Sequence, residues 1–313
     1  MLVFFIHGVN TTNPNYADVL TQKIQKELYN KDDVKSANFY SSFWGNLFNN
    51  KKKQTVSYIE EDFKLACTKH QEYESLHNDV YRYRKRRSQF INNFLGDFLI
   101  YQNPERGKEI RRSILEQFNL FKKDHSHDRE IHFIAHSLGS IILWDILFAN
   151  TFSKDDPAFL FREQLKHFDL ASITTLGSPL LFFKQMWDID FSLINLLLNE
   201  VNRKNILRWI NVIHSSDLVA YPLNAAIKDE IGSKIFFCDQ YVWQDANGTE
   251  KALNTIGNSD LAMVVGAEDA HSSYFYDNLD GAITSRLIAN NLLGKTENLK
   301  KRCITPRLYR NHV

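Results

Sequence analysis

Six short apolar runs, set apart by long helical stretches, constrain this chain more than any other feature. They are Leu2–Ile6, Ser36–Trp44, Ile131–His136, Ala171–Gly177, Arg208–Ile213 and Lys234–Cys238, with Ser36–Trp44 more polar than the rest. Runs too short for a helix and apolar along their length suit strands buried on both faces. Helical patterns fill the gaps at about 16–29, 58–100, 104–121, 140–150 and 273–291. Strands alternating with helices predict βαβ units, hence an α/β fold with a mostly parallel sheet flanked by helices. The chain has 313 residues with 12 glycines and 6 prolines, and no Gly/Ser-rich linker divides it. A single domain over residues 1–313 is expected, interrupted by a charged helical insertion over 46–101.

Charge and cysteine content exclude several classes. Lys+Arg number 38 and Asp+Glu 37, a formal net charge of +1, so no chain-wide field attracts nucleic acid or an anionic membrane. Hydrophobic residues make up 43%, enough for a sizeable core. The three cysteines, Cys67, Cys238 and Cys303, are widely spaced, so neither a disulfide framework nor a paired-cysteine metal site is expected. No segment reaches the roughly 18 to 20 consecutive apolar residues that span a bilayer. Met1–His7 lacks a basic stretch and a small-residue cleavage site, and a cytoplasmic protein is expected. The basic run Arg82–Arg87 spreads round a helix as a solvated face. Peripheral contact with anionic lipid headgroups is its second use, and no nucleic-acid partner is expected. His125-Ser-His127-Asp128 lies in a polar loop, and no metal is expected there.

Chemistry concentrates in four places. Ile131–Ala135 is a strand, Ser140 opens a helical run, and Ala135-His136-Ser137-Leu138-Gly139 joins them. This is the G-x-S-x-G nucleophile elbow with Ala135 for the first Gly; the strained turn needs small residues on either side of its serine. His7-Gly8-Val9-Asn10 follows the first strand, where backbone N–H groups can face a developing oxyanion. Val9 and Leu138 are the expected donors. Partners of an elbow serine follow it in chain order, acid and then histidine. Of the later histidines, His214 ends a strand where the acid belongs and His312 lies in the tail. His271, in a loop before the final helix, is the expected base. Asp217, after the penultimate strand, is the expected acid, with Asp239 as the fallback. His136 reads as structural, because its side chain diverges from that of Ser137.

The motifs HGVN, AHSLGS, TTLGSPL, INVIHSSDLVAYPL and DAHSSY occur in this order between Leu2 and Tyr274. Together they resemble the α/β-hydrolase superfamily, and within it the lipase-like serine esterases. The resemblance implies acyl-enzyme chemistry on a Ser137–His271–Asp217 triad, no cofactor, and a small-molecule or lipid ester as the partner. A thioesterase or amidase on the same triad, or a catalytically silent binding module, are the alternatives. Two departures are Ala135 for Gly and a first strand that already carries the oxyanion turn, so strands preceding it in the family are expected to be lacking. Leu180–Leu198 is unusually apolar, either a core helix or a wall for an acyl chain. On the second reading Phe182, Phe183, Met186 and Trp187 share one side of a helix and bind substrate.

Overall fold

Each of the six runs contributes to a strand of one sheet in a computed structural model of the chain, the last of them displaced to Phe236–Val242. It describes residues 1–29, 36–50, 96–200, 205–244, 247–257 and 259–304, with isolated positions between 54 and 65. Strand β1 (Leu2–Ile6) leads through α1 (Asp18–Tyr29) to β2 (Asn38–Ser42). Helices α2 (Gly96–Gln102) and α3 (Pro104–Asp124) precede β3 (Glu130–His136), which turns directly into α4 (Leu138–Leu147). Helix α5 (Pro157–Leu165) leads to β4 (Asp169–Leu176), followed by α6 (Leu180–Trp187) and α7 (Ile194–Glu200). Then come β5 (Arg208–His214), α8 (Asn224–Ile231) and β6 (Phe236–Val242). Helices α9 (Gly248–Thr255), α10 (Ser259–Ser272), α11 (Leu279–Leu292) and α12 (Thr296–Ile304) complete the order.

The strand order is β2-β1-β3-β4-β5-β6, and every pair is parallel. From β1 the chain steps outward to β2, then returns to the other side of β1 to lay down β3. That reversal opens a crevice beyond the carboxyl ends of β1 and β3, the place where open α/β sheets bind ligands. The turn at His7–Gly8 and the elbow at Ser137 both lie at this switch point.

Alternation along the strands feeds two apolar layers. Leu2, Phe4 and Ile6 point into a layer shared with α3, α4 and α5, while Val3 and Phe5 join Leu20, Ile24 and Leu28 of α1 and Leu287 and Ile288 of α11. Helix α3 shows how local sequence supports this. Asn103 caps it by accepting the Arg106 N–H at 3.1 Å, and Pro104 follows at the first helical position, where a missing N–H costs nothing. Ile110, Ile114, Phe118 and Phe121 then recur at helical spacing and are buried against the sheet. Truncating Phe118, packed on Phe161 at 4.4 Å, should cost about 3–5 kcal/mol.

Three expectations need correction or restriction. His271 lies on the last turn of α10, not in a loop, and two helices follow it. Cys238 on β6 is disulfide-bonded, a link that the wide cysteine spacing gave no reason to expect. Of the 46–101 insertion, its beginning, a few isolated positions and the start of α2 are described; the basic run at 82–87 lies outside the described residues. No helix among the described residues is long and apolar enough to cross a membrane.

Candidate active site

The elbow begins with strain. Ser137 sits between β3 and α4 at φ 54°, ψ −129°, a region that side-chain-bearing residues occupy only when the surroundings enforce it. The surroundings do so here. The Ser137 N–H donates to the Leu176 carbonyl at 3.0 Å, and the Ser140 hydroxyl donates to the Ser137 carbonyl at 2.6 Å. Close approach explains the small residues nearby. A Cβ on Gly139 would run into the Ile6 carbonyl oxygen, and one on Gly8 would run into Ser137 Cβ and lie 2.7 Å from the His136 carbonyl oxygen. Ala135, where the motif has Gly, is fully buried in register with Ile6 and Thr175.

Three elements deliver one hydrogen-bonded line. Ser137 Oγ lies 2.8 Å from His271 Nε2, and His271 Nδ1 lies 2.9 and 3.0 Å from the two Asp217 oxygens. With the Nδ1 proton facing the carboxylate, Nε2 is left as the acceptor for the serine hydroxyl. Asp217 stands in the turn after β5, and its N–H donates to the His214 carbonyl. Burial alone would raise the Asp217 carboxyl. The His271 ring, the Val219 N–H and the Tyr274 hydroxyl outweigh it and hold the group below the usual carboxylate range, so it is ionised at neutral pH. The His271 side chain is 16% exposed and that of Asp217 is 1%.

The turn after β1, where the sequence places an oxyanion donor, is shaped by a residue that the sequence did not single out. Trp44 donates its backbone N–H to His7 Nε2 at 3.0 Å, so the ring proton is on Nδ1, which lies 2.8 Å from the Gly8 carbonyl. In a planar trans peptide the C=O and the following N–H point in opposite directions. Fixing the Gly8 carbonyl therefore aims the Val9 N–H the other way. Across the crevice, Leu138 opens α4 and its N–H is among those that a helix leaves without an intrahelical acceptor.

Two more residues join the site without having been assigned to it. Tyr274 donates its hydroxyl to Asp217 Oδ2 at 2.9 Å and accepts the His214 N–H at 2.9 Å. Burial and the adjacent carboxylate keep its phenol protonated. Its place three positions after His271, near a helix end, was the available signal. His136 donates from Nε2 to the His271 carbonyl at 2.7 Å, with the two rings 4.8 Å apart. Burial, with the His271 ring nearby, pushes the His136 imidazole down to about 3. It is a neutral strut from the turn at Ser137 to the backbone of His271.

The remaining candidates go elsewhere. Asp239 accepts the N–H groups of Leu223 and Asn224 and the Asn211 amide, which fastens the start of α8 to β6 and leaves no part for it in the line. Along α6, Phe183 is buried and packs with Trp187 against Phe98 of α2, at 4.2 Å between their own rings. Phe182 turns instead to Tyr221, and Met186 is 63% exposed. The four side chains therefore divide between core and surface rather than forming one wall. His125 packs edge-on against Phe121, and Asp128 accepts from Asn38. Among the described residues no three His, Cys, Asp or Glu side chains gather to hold a metal ion. Comparison with protein-family models, with curated proteins and with solved structures finds no match to this chain.

Proposed function

We propose that the chain is a serine hydrolase that cleaves carboxylic esters, lipid-like esters among them, through an acyl-enzyme on Ser137. One observation carries the reading. A serine held at strained backbone angles hydrogen-bonds a histidine whose other nitrogen faces a buried carboxylate. The sheet's switch point and the ordered motifs shared with lipase-like serine esterases support it.

In the reaction, Ser137 Oγ attacks the ester carbonyl carbon as its proton passes to His271 Nε2. Asp217 stabilises the imidazolium, and the carbonyl oxygen, now an oxyanion, accepts from the Val9 and Leu138 N–H groups. The tetrahedral adduct collapses, the C–O bond to the alcohol breaks, and His271 gives its proton to the leaving oxygen. Water then attacks the acyl-enzyme, with His271 taking its proton and returning it to Ser137 as the acid departs.

Phe182, Met186 and Trp187 give α6 an apolar surface that starts shortly beyond Ser178, whose hydroxyl contacts that of Ser140 at 2.8 Å. If an acyl chain lies there, each buried methylene contributes about 0.8 kcal/mol. Hexanoyl esters, longer by four methylenes, should then exceed acetyl esters in kcat/KM by about a hundredfold, and Trp187→Ala should flatten the dependence. The test is a panel of acetyl to octanoyl p-nitrophenyl esters, with matched thioesters and anilides, on wild type and Ser137→Ala. Fastest turnover of the anilides would make the chain an amidase. No turnover at all would favour a silent binding module. The cytoplasmic location expected from the sequence belongs to the same proposal. The Cys238 disulfide stands against it, since such bonds persist mainly in oxidising compartments. Thiol counts on the native chain with and without reductant address this.

A further inference from the structure

The return helix of the insertion reaches the oxyanion turn. Asp97, in the first turn of α2, is 1% exposed, and its Oδ2 accepts the backbone N–H of Asn10 at 2.8 Å across 87 residues of sequence. Asn10 stands at φ 58°, a left-handed conformation that Asn tolerates better than most residues but that still needs support from outside. The peptide before Val9 is already held by His7 through the Gly8 carbonyl. The peptide after Val9 contains the Asn10 N–H, and Asp97 holds that one. Both peptides that flank Val9 are therefore held by buried side chains, one by His7 of the turn itself and the other by Asp97 of a distant helix. The next residue of α2, Phe98, packs against Phe183 and Trp187, which seats the helix on α6 and gives Asp97 a rigid base.

We propose that Asp97 is a positioning residue: by accepting the Asn10 N–H it sets the conformation of the oxyanion turn, and so the direction of the Val9 N–H. The role needs an acceptor at this place and no charge. It rests on the serine-hydrolase reading of the site.

The test compares Asp97→Ala with Asp97→Asn, whose amide oxygen can still accept. With a p-nitrophenyl ester, Asp97→Ala should lower kcat about 10- to 100-fold with KM within about threefold, short of the 10²–10³ lost when a donor is removed outright. Asp97→Asn should restore most of that loss. A trifluoromethyl ketone, which forms a tetrahedral adduct on a serine, should lose affinity in Asp97→Ala in step with kcat. The parent methyl ketone should not. Equal kcat in wild type and Asp97→Ala, or equal losses in the Asn and Ala variants, would overturn the proposal. Should Asp97→Ala fail to fold, amide exchange at Asn10 in the wild-type chain decides. Protection of at least about a hundredfold is expected, and exchange at the rate of an open amide would overturn the assignment. A wild-type chain that neither turns over esters nor reacts with a fluorophosphonate would refute the hydrolase reading, and the Asn10 exchange would still report on the clamp.

Discussion

Among the described residues two histidine–aspartate pairs lie a few residues apart, and they differ in what the second ring nitrogen meets. His271 Nδ1 lies 2.9 Å from Asp217 and its Nε2 meets a serine hydroxyl. His214 Nε2 lies 3.4 Å from Asp280, and its Nδ1 accepts the Ser216 N–H at 3.1 Å. Nδ1 of His214 is thus occupied by the Ser216 N–H, Nε2 lies near the Asp280 carboxylate without a hydrogen bond to it, and the ring is fully buried. His271 keeps one nitrogen for a hydroxyl at the edge of solvent. A carboxylate beside an imidazole is therefore no mark of catalysis by itself. What counts is where the second nitrogen points and whether a substrate can reach it. The inner pair still serves the outer one, since the His214 backbone accepts from Asp217 and donates to Tyr274.

The largest expected effect separates the pairs outright. Ser137→Ala and His271→Ala should each lower kcat by about 10⁴- to 10⁶-fold with the fold intact. Ester kinetics and circular dichroism on both variants check this. A Ser137→Ala variant with wild-type turnover would move the nucleophile elsewhere.

Next come the two carboxylates. Asp217→Asn should reduce kcat by about 10⁴, because an amide can neither hold the Nδ1–H tautomer nor stabilise the imidazolium. Asp280→Asn should change kcat by less than about tenfold and show itself in denaturant unfolding instead. Asp239→Asn, which weakens the anchor of α8, should act the same way, at about 0.5–2 kcal/mol of stability. Greater catalytic damage from Asp239→Asn or Asp280→Asn than from Asp217→Asn would reverse the assignment of the acid.

The elements of this arrangement were unequally legible in the sequence. Strands could be read because burial on both faces leaves continuous apolar runs such as Leu2–Ile6. Ser137, Asp217 and His271 could be named because each follows or precedes a recognisable strand or helix in a fixed order. The location of His271 on α10 was missed because Ser259–Ser272 lacks a clear apolar stripe at helical spacing. Tyr274 and His136 lay in plain view, but the direction of a side chain at an elbow or a helix end is set by tertiary packing. Asp97 had no local signal at all, as its partner is 87 residues away. Along α6 the spacing of Phe182, Phe183, Met186 and Trp187 was read correctly as helical, but Phe98 from the insertion decides which of them are covered.

Smaller effects test the scaffold around the outer pair. Tyr274→Phe removes a donor from Asp217 and the acceptor for the His214 N–H, and should cost about 1–3 kcal/mol of stability. It should lower kcat about tenfold. The Asp217 carboxyl, depressed in the folded chain, stabilises the fold above its unfolded value near 3.9, and that contribution fades as pH falls through the folded value. Tyr274→Phe should shrink this contribution, seen as a shallower loss of stability in the acid range by urea unfolding.

The smallest effect is a matter of slope. With His136 pushed down to about 3 and Asp217 below the usual carboxylate range, neither takes up a proton between about pH 8 and pH 5. Log kcat/KM should therefore fall on the acid side with a slope of one. A slope of two would mean that a second group of the site titrates. For stability the sign is equally definite. The unfolded chain protonates His136 near pH 6.5 while the folded chain does not, so its contribution is complete above that pH and is lost towards 3. His136→Gln should flatten that loss while keeping a donor for the His271 carbonyl.

The most direct test of the central claim is to treat the native chain with a fluorophosphonate and locate the adduct by peptide mass spectrometry, in wild type and His271→Ala. The account predicts one adduct per wild-type chain, on Ser137, and an adduct slowed by orders of magnitude in His271→Ala. A wild-type chain that remains unlabelled, or one labelled at another residue, would contradict it.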